Sequence, residues 1–400
     1  MFDKIEKRNR DRVRCLFFMF IIYPINNLLG SFSSFFNFTP PNNIMIILYI
    51  IVMIYGTILF LKYSLTRFDM CTIIAIYLGY IFLYMISVDS AKIEMKSVYM
   101  CLMYIYFIPL SVIVISHIEN FSELFSEKYV VLSDVLIVIT IVSKLFFHDN
   151  TDYMIFSYDL LPFWGIIIVS AIHYKKKVQW LFVPIVLIEA LVFGCRGALM
   201  WTCMCGIFVY VIELLYQKST REFVNKMMFF PCIILLIIVG VIEVLPSLLK
   251  SQYAKSSYIL TRLTMGSLSE SNARERIMDI CIQNIKKMGL NINGLFYDRS
   301  ILPNGMYSHN IFIEALLSLG WVFGTVFLLF VLKKMVKALN NQSLEGKIIW
   351  AYFVAVLFLR YFISGSIFGE GKFVIFISVM IAMSKYCTKS ELLTETDLEV

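Results

Sequence analysis

The sequence predicts an all-α, polytopic membrane protein of about 12 transmembrane helices, with one large extramembrane loop that contains an amphipathic helix. Three observations predict it. Apolar residues fill 60% of the 400 positions and charged residues only 16%, against roughly a quarter charged in a soluble domain. Runs such as Ile44 to Leu61, Phe229 to Val244 and Phe373 to Met383 carry almost no charge. Each is long enough for all or most of a bilayer crossing at about 1.5 Å per residue. The segments between the runs, finally, divide into lysine- and arginine-rich ones and nearly cation-free ones, as they do in polytopic proteins.

Taken in order, the spans are expected at 15–30, 44–61, 70–88, 98–116, 130–147, 160–173, 178–194, 198–215, 227–245, 310–332, 348–364 and 373–386. The first run follows Arg14 and leads into Pro24, Asn26 and Asn27 without a small-residue cleavage site, so it reads as a first helix rather than a removable signal peptide. Most of the 35 lysines and arginines then fall on one side of the membrane. They include Lys4 to Arg14, Lys62, Arg67, Lys175 to Lys177, Lys218 to Lys226, Lys333 to Lys337, Lys385 and Lys389. The short loops of the other side hold Lys92, Lys96, Arg196 and Lys372. The positive-inside rule therefore assigns both termini to the cytoplasm, and an even number of spans agrees.

The stretch 246–308 breaks this rhythm on the outer face. Asn272 followed by Glu275 has the pattern of a capping box, and Ile277, Ile280, Ile285 and Met288 recur at helical spacing. An amphipathic helix at the membrane surface is expected there, ending near Gly289. The organisation is thus nine helices over 1–245, the loop over 246–308, three helices over 309–386 and a cytoplasmic tail over 387–400.

Composition also narrows the chemistry. The net charge of +7 is accounted for by the one-sided cations, so no nucleic-acid partner is implied. The nine cysteines lie nearly all in apolar runs without paired metal-ligand spacing beyond one Cys-x-Cys, Cys203 and Cys205, which gives neither a disulfide framework nor a zinc site. Four histidines and no Gly-rich phosphate loop give no nucleotide-driven engine. No metal or cofactor is expected, and any reaction must draw its energy from the substrate.

Three places bear residues suited to chemistry. In the turn Gly194-Cys195-Arg196-Gly197-Ala198, Arg196 stands at the membrane boundary, where its fork of donors suits a diphosphate. The plain alternative is an arginine reaching for lipid headgroups, and Glu189, two turns earlier, is a candidate buried partner for it. At the start of the amphipathic helix, Arg274 and Arg276 join the helix N-terminus as an anion site. Residues two apart point about 200° apart on a helix, so one regular helix cannot aim both at one phosphate. Surface pairing with Glu275 or Asp279 is the alternative for them. His309, in Tyr307-Ser308-His309-Asn310, opens the tenth span. A neutral imidazole there can take a proton from a sugar hydroxyl, whereas a histidine at a helix start is more commonly a cap. Asn310 and, one turn further, Glu314 are supporting residues that orient a neighbour or line a cavity.

The Arg-Gly turn at Arg196, the arginine-bearing loop, and His309-Asn310 followed by nine residues, Gly320 and Gly324 together resemble the O-antigen polymerase and ligase superfamily, which includes Wzy-type polymerases. The resemblance runs in motif order from about Gln179 to Gly324. It departs from the family pattern in having three residues rather than two between the closing glycines. What it implies is a metal-independent, membrane-embedded glycosyltransferase of the bacterial inner membrane with a periplasmic active site. An undecaprenyl-diphosphate-linked oligosaccharide would be the donor, His309 the base, and Arg196 with Arg274 or Arg276 the diphosphate clamp. The protein would work among membrane lipids beside a chain-length regulator protein. A polymerase extends the chain onto a lipid-linked repeat unit, and a ligase transfers it to the lipid A core. The divergent Phe-, Ile- and Met-rich character favours the polymerase. A flippase or transporter is the competing class, since twelve spans with cytoplasmic termini fit many carriers. Carriers tend to place charges at mid-membrane, whereas the notable groups here gather at the outer ends of spans. A purely structural partner of a polysaccharide-assembly complex would leave Arg196 and His309 without a chemical task.

Overall fold

A computed structural model describes residues 2–35, 43–63, 66–88, 106–147, 153–216 and 272–386. The expected span 227–245, the first part of the loop and the tail lie outside them, as do Cys101, His148, Cys232 and Cys387. Among the described residues every regular element is helical. In chain order they are α1 (Phe2–Phe35), α2 (Asn43–Tyr63), α3 (Arg67–Ile86), α4 (Ile108–Ile113), α5 (Glu127–Phe147), α6 (Tyr153–Ile172), α7 (Gln179–Val192) and α8 (Arg196–Leu215). There follow α9 (Asn272–Met288), α10 (Tyr297–Ile301), α11 (Ile311–Asn340), α12 (Leu344–Phe353) and α13 (Gly371–Lys385). Five stretches, Ile5–Leu29, Arg67–Ile86, Tyr153–Ile172, Arg196–Leu215 and Ile311–Asn340, are long and apolar enough to cross a membrane.

Helix α6 is the centre of the bundle. Nearly all of its side chains are buried, and α1, α5, α7, α8 and α12 pack around it. Leu161, Trp164, Ile167 and Tyr352 fill that core. A helix buried on every side needs no polar face, which is why its sequence is mostly apolar, with Asp159 as its one ionised side chain and that one paired. The outer helices differ: Leu78, Phe82 and Met85 of α3, and Phe323, Val326 and Leu329 of α11, expose large apolar side chains. Such surfaces suit lipid rather than water.

The loop helix forms as its pattern predicts. Ile277, Cys281, Ile285 and Met288 of α9 are buried against Ile313 and Leu317 of α11 and Leu302. Its polar side, with Arg276, Asp279, Lys286 and Lys287, is exposed.

The helix expected over 310–332 is present as α11, but it is broken rather than continuous. Within α11, Gly320 has φ 76° and ψ 175°, which breaks the helix into 311–319 and 321–340. A Cβ on Gly324 would lie 2.8 Å from the Ala315 carbonyl oxygen, although nine residues of straight helix cover about 13 Å. The two halves therefore meet at a sharp angle. The carbonyls freed at the break are taken by the preceding loop: Asn293 Nδ2 donates to Leu317 O at 3.0 Å, and the Gly294 amide donates to Ser318 O at 3.0 Å. The long straight piece is 321–340, and the half-helix 311–319 is a separate platform. Glu314 consequently lies on the platform rather than one turn down a span.

Candidate functional site

The turn before α8 is held from behind. Cys195 caps the helix, its Sγ accepting from the Ala198 amide at 3.4 Å, while its own amide donates to Ser157 Oγ at 3.2 Å. Gly197 packs directly on the Tyr158 hydroxyl and on Ile363, leaving no room for a side chain. Arg196, half-buried, is thereby fixed at the first turn of α8, where the helix dipole adds to its charge. Glu189 is not turned to it, contrary to expectation. Its two carboxylate oxygens accept from Thr140 Oγ1 at 2.7 Å and Trp164 Nε1 at 2.8 Å, which satisfies them inside the bundle.

The segment that carries His309 is shaped by a buried carboxylate. Asp298 accepts from the amides of Ser308, at 2.8 Å, and of Arg299, at 3.0 Å. Burial pushes its pKa up, against the pull of these donors. Asn310 is the true cap of α11, accepting from Phe312 N at 2.9 Å and Ile313 N at 3.3 Å. That leaves His309 free of the capping role. It takes a left-handed backbone conformation, φ 55°, with its ring 3.8 Å from that of Tyr307. Its Nδ1 is buried and has no hydrogen-bond partner among the described residues. Burial pushes its pKa down to about 4, and the Arg274 charge acts in the same direction. At neutral pH the imidazole is thus uncharged, with a nitrogen unbonded.

The two loop arginines both stand exposed at the start of α9. The charge of Arg274 bears on His309, and Arg276, though exposed on the same helix, is not among the groups that do. Glu314, fully buried, accepts from Ser366 Oγ and from Ile367 N at 2.8 Å. It orients the loop between α12 and α13.

This loop joins the pieces. Asn310 Nδ2 reaches Phe362 O at 3.4 Å, and the next residue, Ile363, abuts Gly197. The Gly365 amide lies 3.5 Å from the Tyr307 hydroxyl. The Arg196 turn and the His309 segment therefore flank one stretch, 360–371, at one end of the bundle. His117 and His173 are at the opposite end, paired at 2.9 Å with Asp69 and at 2.8 Å with Glu213.

Sequence reasoning missed the charges in that stretch. Arg360 pairs with Glu370 at 2.8 Å and lies over the Tyr158 ring at 4.3 Å. Lys372 pairs with Asp159, which also accepts from Asn27 at 2.9 Å, and donates to Tyr158 O at 3.0 Å. The available signal was an arginine inside the apolar run 348–364, since ionisable residues in such runs are rare without a task. No family model matches the sequence, and neither a curated protein nor a solved structure matches it.

Proposed function

We propose that the chain is a polysaccharide polymerase of the O-antigen type. It would transfer an undecaprenyl-diphosphate-linked glycan onto a hydroxyl of a lipid-linked repeat unit at the periplasmic face of the bacterial inner membrane. The observation that carries this reading is the uncharged His309, with Nδ1 unbonded, beside the cation Arg274 and across one loop from Arg196. A base next to guanidinium groups suits attack by a hydroxyl on a carbon whose leaving group is a diphosphate.

In the proposed reaction the acceptor oxygen forms a bond to the anomeric carbon as the bond from that carbon to the phosphate oxygen breaks. The electron pair leaves with undecaprenyl diphosphate, the acceptor proton passes to His309 Nδ1, and direct displacement inverts the anomeric centre. Arg196 and Arg274 hold the diphosphate as its charge grows. The drive comes from the higher group-transfer potential of the glycosyl diphosphate relative to the glycoside formed.

The distribution of charge supports cytoplasmic termini, and the count of twelve spans rests on hydropathy. Arg8, Arg12, Lys175, Lys176, Lys333 and Lys334 belong to the end of the bundle opposite His309. The grouping of Arg196, Arg274 and His309 at one end favours chemistry there over carriage through the middle. The test supplies purified protein with a purified lipid-linked repeat unit, without nucleotide or metal. A ladder of oligomers is expected. Translocation of the lipid without a ladder would replace this reading by the carrier class, and transfer only to lipid A core would replace it by the ligase.

A further inference from the structure

Four ionisable side chains, Asp159, Arg360, Glu370 and Lys372, meet at the end of the bundle that holds His309. Three of them are buried and Glu370 is half-buried. Taking such pairs out of water costs more than their attraction returns unless every donor is met, and well-packed apolar residues of the same size are often as stable or more so. Stability alone is therefore a poor reason for them. The Lys372 pair is the better satisfied, since Asn27 and Tyr158 O complete it.

The Arg360 pair is not complete. Arg360 is 7% exposed, and Glu370 is its one ion-pair partner among the described residues. Nε is buried with no hydrogen-bond partner there, a donor that costs free energy until something accepts from it. Glu370 holds Arg360 from the loop side, its other oxygen accepting from Ser366 N at 3.2 Å. Tyr158 holds it from below, and the hydroxyl of that same tyrosine packs on Gly197 beside Arg196. Two residues on from Arg360, Phe362 O meets Asn310. Arg360 thus sits on the floor between the Arg196 turn and the His309 segment.

We propose that Arg360 is a further anion-binding residue of this site, a third guanidinium for the diphosphate of the lipid-linked donor, with Glu370 as the residue that positions it. This rests on the polymerase reading for the identity of the anion. The non-bridging oxygens of a diphosphate offer more lone pairs than two bidentate guanidiniums occupy, and a guanidinium with an unmet Nε behind them adds a further donor. When the diphosphate arrives, Glu370 keeps its hold on Nη2 and the unmet Nε donates to phosphate oxygen.

The test measures binding of undecaprenyl diphosphate and of undecaprenyl monophosphate to the full-length protein in lipid nanodiscs, beside oligomer formation and thermal unfolding. Arg360→Gln is expected to weaken undecaprenyl diphosphate at least tenfold and undecaprenyl monophosphate less. Arg360→Lys is expected to recover little of it, because a lysine lacks the planar fork. The single change leaves Glu370 buried without its partner, so misfolding is separated by the double variant Arg360→Met with Glu370→Leu. That protein is expected to melt close to the parent while binding undecaprenyl diphosphate as weakly as Arg360→Gln. Parental affinity in a folded Arg360→Gln or in the double variant would overturn the proposal. A parent that binds undecaprenyl diphosphate but builds no ladder would overturn the polymerase reading and leave the role of Arg360 standing.

Discussion

Replacing Gly320 with alanine strikes the break on which the His309 platform hangs. Its φ of 76° and ψ of 175° lie in a region essentially reserved for glycine, where a residue with a Cβ is strained by about 1–3 kcal/mol. A Cβ there would also approach the Asn291 carbonyl oxygen to 2.6 Å. Asn291 cannot retreat freely, because its neighbours Asn293 and Gly294 are bonded to Leu317 and Ser318. Strain and clash together come to roughly 2–4 kcal/mol, which lowers the melting temperature on the order of 5 °C. Gly79→Ala is the control: Gly79 is in α3 with nothing within 4 Å of its would-be Cβ, and alanine there stabilises a helix by up to about 1 kcal/mol. The assay is thermal unfolding of the purified protein in detergent. A Gly320→Ala protein that melts at or above Gly79→Ala would refute the broken-helix geometry and with it the placement of His309.

Three further outcomes follow from the site. His309→Ala, at parental abundance in the membrane, is expected to slow chain extension by about a hundred- to ten-thousand-fold, while His173→Ala, paired with Glu213 at the far end, extends normally; near-parental extension by His309→Ala would remove it as the base. Arg196→Lys keeps the charge and loses the fork, so most activity is expected to go; full activity would reduce Arg196 to general electrostatics. Arg274→Ala is expected to be severe and Arg276→Ala mild in the same chain-length assay, and equal outcomes would remove the distinction drawn from their directions.

The helices of the bundle were legible because each is a run of apolar residues closed by charge. The expected 198–215 stands beside Arg196–Leu215, and 373–386 beside Gly371–Lys385. The loop helix was legible from spacing, and it stops at Met288 where Gly289 signalled an end. The break at Gly320 was not, since both of its flanks are equally apolar and hydropathy is blind to φ. Nor was the Asp159–Lys372 pair, whose members stand 213 residues apart with no local pattern to join them. Arg196 and His309 could be singled out by residue type and position. That Nδ1 of His309 is unbonded among the described residues, and that Glu189 serves Trp164 rather than Arg196, depends on neighbours that only the fold brings together.

A base whose pKa is about 4 is a weak one at neutral pH, and the cause of the depression says how it is strengthened. Part of it comes from the positive charge of Arg274. A diphosphate bound to Arg274 brings negative charge to the same place, so the term that disfavours protonated His309 is offset and its pKa rises toward the ordinary value near 6.5. The base becomes stronger when the donor is in place. The sign in the pH profile is then fixed. Activity requires the neutral form, so it is full well above the pKa and is lost as pH falls through it. The acid limb of kcat/KM reports the free protein and that of kcat the complex, so the limb of kcat is expected to lie at higher pH than the limb of kcat/KM. In Arg274→Gln the limb of kcat/KM is expected to move up as well, because the depressing charge is gone from the free protein, and the gap between the two limbs is expected to narrow. Coincident limbs in the parent, or a kcat limb at the lower pH, would show that the diphosphate does not sit beside Arg274 and His309, and the arrangement proposed for the donor would have to be abandoned.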